Sequence, residues 1–83
     1  MSKEEKDRLV DIDNRHVWHP FTPHSVYQDE EPLMIVAGEG NTLIDADGSR
    51  YLDGVSSIWC NVFGHQKAEI DEAIRGQLER IAH

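Results

Sequence analysis

The stretch Gly38–His65, GEGNTLIDADGSRYLDGVSSIWCNVFGH, decides how this chain folds. Glycines at 38, 40, 48, 54 and 64 separate short apolar runs, which is the pattern of tight strands joined by sharp turns and not of a helix. The run Thr42–Asp45 leads into Ala46-Asp47-Gly48-Ser49 and returns through Arg50–Asp53, a hairpin around an Asp-Gly turn. Just upstream, Leu33–Ala37 is a continuous apolar run and reads as a strand buried on both faces or nearly so. Residues 33–54 are therefore expected to form a three-stranded antiparallel meander. In residues 55–66 the run VSSIWCNVF mixes β-branched, aromatic and small polar side chains, compatible with an extended segment that shows alternate side chains to a pocket.

Outside this stretch the period changes. Ser2 and Glu5 have capping-box spacing, and Leu9, Ile12 and His16 or Val17 recur at helical intervals, so residues 1–18 read as a short helix. Pro20 disfavours helical geometry at His19, and Pro23 and Pro32 keep residues 19–32 irregular. Trp18, Phe21 and Tyr27 cluster here, large apolar side chains that call for a groove in something larger. From Lys67 onward Ile70, Ile74, Leu78 and Ile81 share one helical face, with acids near the start and Arg80 and His83 near the end. Residues 67–83 read as an amphipathic helix, with Asp71 and Arg75 spaced as an ion pair and Gly76 marking a close packing contact. The whole is an α+β segment: helix, three-stranded meander, helix. Those elements leave the last helix's stripe and the aromatic loop uncovered, as expected of the amino-terminal piece of a longer protein.

Composition narrows the functions. With 83 residues, 39% of them hydrophobic, the chain supports one small domain at most and no large independent enzyme. A net charge of -8 argues against nucleic acid or an anionic membrane as partner, because phosphates need a basic face. The single cysteine, Cys60, precludes an internal disulfide, and neither a secretory segment nor a membrane-spanning run is present, so the chain reads as cytoplasmic.

Local motifs for chemistry fail. Leu43 stands where a dinucleotide fingerprint needs its third glycine, Gly48 comes too early for a calcium loop, and Ile58 replaces the closing glycine of a nucleophile elbow. His16, His19, His24, His65 and Cys60 lack the paired spacing of a zinc site, so no metal is expected. Lys3, Lys6 and Lys67 read as solvated side chains and not as desolvated nucleophiles.

A resemblance says more. The pattern from Gly40 to Gly54, with Leu43-Ile44-Asp45, Asp47-Gly48 and Arg50-Tyr51-Leu52-Asp53-Gly54, followed by Phe63-Gly64-His65 and an amphipathic helix, resembles the amino-terminal region of class III aminotransferases. Two further signatures, His16-Val17-Trp18-His19-Pro20-Phe21-Thr22 and Gly54-Val55-Ser56-Ser57-Ile58-Trp59, are similar to those of family members acting in biotin biosynthesis. The resemblance implies the amino-terminal subdomain of a fold-type I α/β transferase. Its cofactor is pyridoxal 5'-phosphate, held by a large domain that these 83 residues lack. The implied reaction passes an amino group from S-adenosylmethionine or lysine to 8-amino-7-oxononanoate, giving 7,8-diaminononanoate, in a homodimer. Catalytic and cofactor-binding residues would lie beyond residue 83, and this segment alone would be inactive. Phe21 matches a family position, commonly Tyr, that packs on substrates, and Ile58 and Trp59 match paired aromatic positions that wall the pocket. Members using S-adenosylmethionine typically carry Tyr at the first of these and Trp at the second, so the two departures bear on donor choice. The competing expectations are another class III aminotransferase, acting on ornithine, 4-aminobutyrate or a polyamine, and a non-enzymatic small interaction module.

Overall fold

The computed structural model describes all 83 residues, Met1–His83. Helix α1 spans Lys3–His16, α2 is the single turn His24–Tyr27, and strands β1 (Ile35–Glu39), β2 (Thr42–Asp45) and β3 (Arg50–Leu52) follow. A last single turn α3 (Ser56–Trp59) precedes α4 (Ala68–Leu78). The strands form one antiparallel sheet in the order β1-β2-β3, as the meander reading expects. The Ser2 hydroxyl accepts from the Glu5 amide at 3.2 Å, which satisfies one of the unpaired N–H groups at the start of α1. The helix stops at His16, with Val17 already extended.

The hairpin is organised around a carboxylate. Asp45 and Ala46 are the buried residues of the chain. Oδ1 of Asp45 accepts from the amides of Asp47 at 3.0 Å and Ser49 at 2.8 Å, and Oδ2 accepts from the Tyr51 hydroxyl at 2.7 Å. The side chain thereby closes the turn that Gly48 opens at φ +88°, a conformation that suits glycine. Lys6 ties α1 to this hairpin through an ion pair to Asp47 at 2.8 Å, and to the segment before β1 through one to Glu31 at 2.9 Å.

Several expectations need correcting, and one cause runs through them. Leu33, Ile35 and Val36 are exposed, so the first strand is not buried on both faces, and it begins at Ile35 with a register shift before Ala37. The helical stripe of Ile70, Ile74, Leu78 and Ile81 faces solvent, Ile81 lies past the end of α4, and nothing stands within 4 Å of a side chain placed on Gly76. Arg75 pairs with Glu72, one turn back, and not with Asp71. No helix packs closely on the sheet, so these surfaces have no second layer to meet. The accessible surface is 7074 Å² for a 9.5 kDa chain, against about 5,000 Å² for a folded monomer of that mass. The Cα radius of gyration, 15.6 Å, likewise exceeds the about 12 Å of a self-contained domain of this length.

Candidate functional site

The aromatic loop is held at its base and free at its tip. Asp13, on α1, receives His19 Nε2 at 2.8 and 3.0 Å and the Tyr27 hydroxyl at 2.9 Å. The His19 amide donates to His24 Nε2 at 2.9 Å, and the rings of His19 and Tyr27 lie 4.7 Å apart. The hydrogen bond from His19, followed by that from Tyr27, holds the Asp13 carboxyl below its usual range, and the same contact raises the Tyr27 hydroxyl. Between these anchors Trp18 and Phe21 project into solvent, 90% and 107% exposed. Phe21 has φ +52°, a left-handed conformation that an aromatic residue rarely takes.

The second half of the site is stranger. Residues 55–66 do not run extended: Ser56, Ser57, Ile58 and Trp59 have φ of 53°, 48°, 60° and 69°, so α3 is one turn of left-handed helix. Each L-residue in that hand costs about 1–2 kcal/mol because Cβ crowds the following carbonyl, and Ile58 is β-branched besides. The turn leaves Ile58 73% and Trp59 89% exposed.

Behind it stands a clamp that the spacing of residues did not reveal. Asp53 Oδ1 accepts from the Ser57 amide at 2.9 Å, and Oδ2 accepts from the Ser57 hydroxyl and from His65 Nε2, each at 2.8 Å. The Asp53 side chain is 2% exposed. Its pKa falls to about 2, caused first by the Ser57 amide, then by the Ser57 hydroxyl, then by His65. His65 is itself fixed to the sheet edge by paired backbone hydrogen bonds with Gly40, at 2.7 and 3.2 Å. The only foreshadowing in the sequence was the recurrence of Asp53 and His65 inside the family-like motif, which gave neither of them a role.

The chain brings Phe21, Ile58 and Trp59 to its surface without enclosing anything between them. None of the three lines a cavity of the chain, and its ring-to-ring contacts lie among His19, His24 and Tyr27. No group of three His, Cys, Asp or Glu side chains converges on a point. No helix is long and apolar enough to cross a membrane.

The lysines correct the sequence reading in detail. Lys6 is 12% exposed and is not a solvated side chain. Its hydrogen bonds to Asp47 and Glu31 raise its pKa, which keeps it charged and non-nucleophilic. Lys3 pairs with Asp7 and Lys67 with Glu69. No lysine of this chain stands as a free amine in a pocket, so these residues do not fit the covalent attachment of an aldehyde cofactor.

A three-stranded sheet flanked by a loop and a turn that hold exposed aromatic and aliphatic residues in left-handed backbone is the form of this chain, and comparison gives its class. Residues 24–83 match the family model for aminotransferase class III; the chain belongs to the class III aminotransferase family. Within it, the chain is 59% identical over 76 residues to adenosylmethionine-8-amino-7-oxononanoate aminotransferase of Nitratidesulfovibrio vulgaris, covering 92% of this chain and 14% of that protein. It is 52% identical to the protein of the same name from Geobacter sulfurreducens, covering 90% of this chain and 17% of the relative. The crystal structure of the Methanocaldococcus jannaschii protein of that name superposes with a TM-score of 0.84 at 50% identity, over 92% of this chain and 17% of that one. A taurine–pyruvate aminotransferase from Bilophila wadsworthia is less similar, at 36% identity over 80 residues, 95% of this chain and 17% of the relative. The chain thus spans about a sixth of the length of the relatives it matches.

Proposed function

We propose that this chain is the amino-terminal part of a pyridoxal-phosphate-dependent aminotransferase that carries an amino group from S-adenosylmethionine or lysine to 8-amino-7-oxononanoate. Phe21, Ile58 and Trp59 form part of the wall against which the substrates lie. The observation that carries this reading is conformational: all three are exposed, and all three occupy left-handed backbone that no isolated loop of L-residues prefers. Such strain collects where a surface must be presented in one geometry. The identities support the choice within the family, running from 59% to 45% for relatives named for the oxononanoate reaction against 36% for a taurine–pyruvate relative.

Pyridoxal phosphate, when bound, supplies the carbonyl that accepts the amino group. Since none of Lys3, Lys6 and Lys67 fits that attachment, the cofactor belongs to the remainder of the protein, and this chain's part is apolar contact and orientation. The exposed stripe of α4 and the aromatic loop are then covered by the rest of the polypeptide and by the second subunit of a cytoplasmic homodimer. The test is turnover by the full-length protein with 8-amino-7-oxononanoate and either donor, following the diamino product. Absence of that product with both donors, alongside efficient use of taurine, ornithine or 4-aminobutyrate, would overturn the assignment in favour of another class III activity.

A further inference from the structure

We propose that Asp53 is a positioning residue: its carboxylate, by gripping Ser57 and His65 together, sets the left-handed hand of the Ser56–Trp59 turn and so the direction in which Ile58 and Trp59 face the substrate. The inference rests on the pocket reading above and goes beyond it by naming what holds the wall in place.

The turn cannot choose its own hand. Its internal backbone bonds run from the amides of Ile58 and Trp59 to the Val55 carbonyl and from those of Cys60 and Asn61 to the Ser56 carbonyl. Bonds of that kind close equally in a right-handed turn, which L-residues prefer. The side-chain bonds that tie the turn to the rest of the chain are those of the Ser57 amide and hydroxyl to Asp53. Asp53 is in turn immobilised, because its amide donates to the Asn41 carbonyl at 2.8 Å and its Oδ2 receives the His65 ring. That ring fills the space where Gly38 has no side chain, with a Cβ there falling 2.7 Å from His65 Cγ. A continuous set of contacts therefore leads from β1 through His65 and Asp53 to Ser57, next to the two residues that face the pocket. Asp53 touches no reacting atom in this scheme; it acts through the turn.

The experiment uses the full-length protein and two independent readouts: amide hydrogen exchange across Ser57–Cys60, with Leu43 and Ile44 of β2 as internal reference, and the separation of KM from kcat for the amino acceptor. In Asp53→Ala the turn amides should exchange at least about tenfold faster while the β2 amides keep their protection, and KM should rise about tenfold with kcat changed less than about threefold. Asp53→Asn, which still accepts one bond from Ser57, and Ser57→Ala, which removes the hydroxyl alone, should each give a smaller change in the same direction. These milder variants decide the matter if Asp53→Ala also loses β2 protection and so proves unfolded. Unchanged exchange at the turn in the folded variants overturns the proposal whatever KM does. Faster exchange with an unchanged KM also overturns it, provided Trp59→Ala does raise KM. If neither Trp59→Ala nor the Asp53 variants alter KM while exchange still rises, the pocket reading falls and the clamp on the turn stands.

Discussion

A Cβ added to Gly38 would stand 2.7 Å from Cγ of His65 and 2.9 Å from its Cβ. The imidazole therefore occupies the volume that a side chain on β1 would take, and the sheet and the pocket segment are packed together by an absence. Gly38→Ala should force the ring away from Asp53 at a cost of about 1–3 kcal/mol, the usual penalty for an extra methyl in a filled site. The thermal midpoint of the full-length protein, compared with wild type, measures it. A midpoint equal to wild type would mean that His65 moves aside freely.

The Asp53 carboxyl supplies a pH dependence with a definite sign. Its ordinary value of 3.8 is lowered to about 2 in the folded chain, so the native state favours the ionised form. Its stabilising contribution is complete above pH 3.8 and disappears as the pH falls through about 2. The carboxyl's own part in the stability difference between wild type and Asp53→Asn should accordingly shrink as the pH falls below about 4. Denaturant midpoints at a series of pH values report this directly, and shrinkage near neutrality would assign the effect to another group.

Pyridoxal phosphate should form no stoichiometric adduct with the isolated 83-residue chain, and the chain should not transaminate. Lys6 is charged and locked between Glu31 and Asp47, while Lys3 and Lys67 sit beside acids at the surface. Borohydride reduction followed by peptide mass mapping checks the point. A single lysine modified to completion would contradict it.

Expressed alone, the chain should be poorly folded or self-associated. Its buried residues are Asp45 and Ala46, and exposed Trp18, Phe21, Ile74 and Leu78 require cover that 83 residues cannot provide. Circular dichroism melting with light scattering across a dilution series is the measurement. A cooperative transition from a dilute monomer would show that the sheet suffices by itself.

In the full-length protein, Phe21→Ala should cost about 1–3 kcal/mol in transition-state binding through lost apolar contact. Phe21→Tyr restores the hydroxyl usual in members that use S-adenosylmethionine, and Ile58→Trp rebuilds a flat wall on which such a donor can stack. Both should raise the ratio of kcat/KM for S-adenosylmethionine over that for lysine, with the acceptor KM recorded to separate donor effects from general damage. An unchanged donor ratio in folded variants would reduce Phe21 and Ile58 to packing residues.

The parts of this fold whose physics is local were legible from neighbouring residues. Asp47-Gly48 between two apolar runs specifies the hairpin because few residues but glycine accept the required φ, and Ser2 with the spacing of Leu9 and Ile12 marks α1. The motif around Gly40–Gly54 carried the family, and the two signatures His16–Thr22 and Gly54–Trp59 carried Phe21, Ile58 and Trp59 as candidates. Tertiary structure alone decided the hand of the Ser56–Trp59 turn. Nothing local favours left-handed backbone at a β-branched Ile58, and an extended segment was the natural reading. The choice comes from Asp53 and His65, twelve residues apart, whose meeting depends on the antiparallel register that puts Gly40 opposite His65. Contacts at that separation are set by how strands pair, and no pattern of neighbouring residues encodes them.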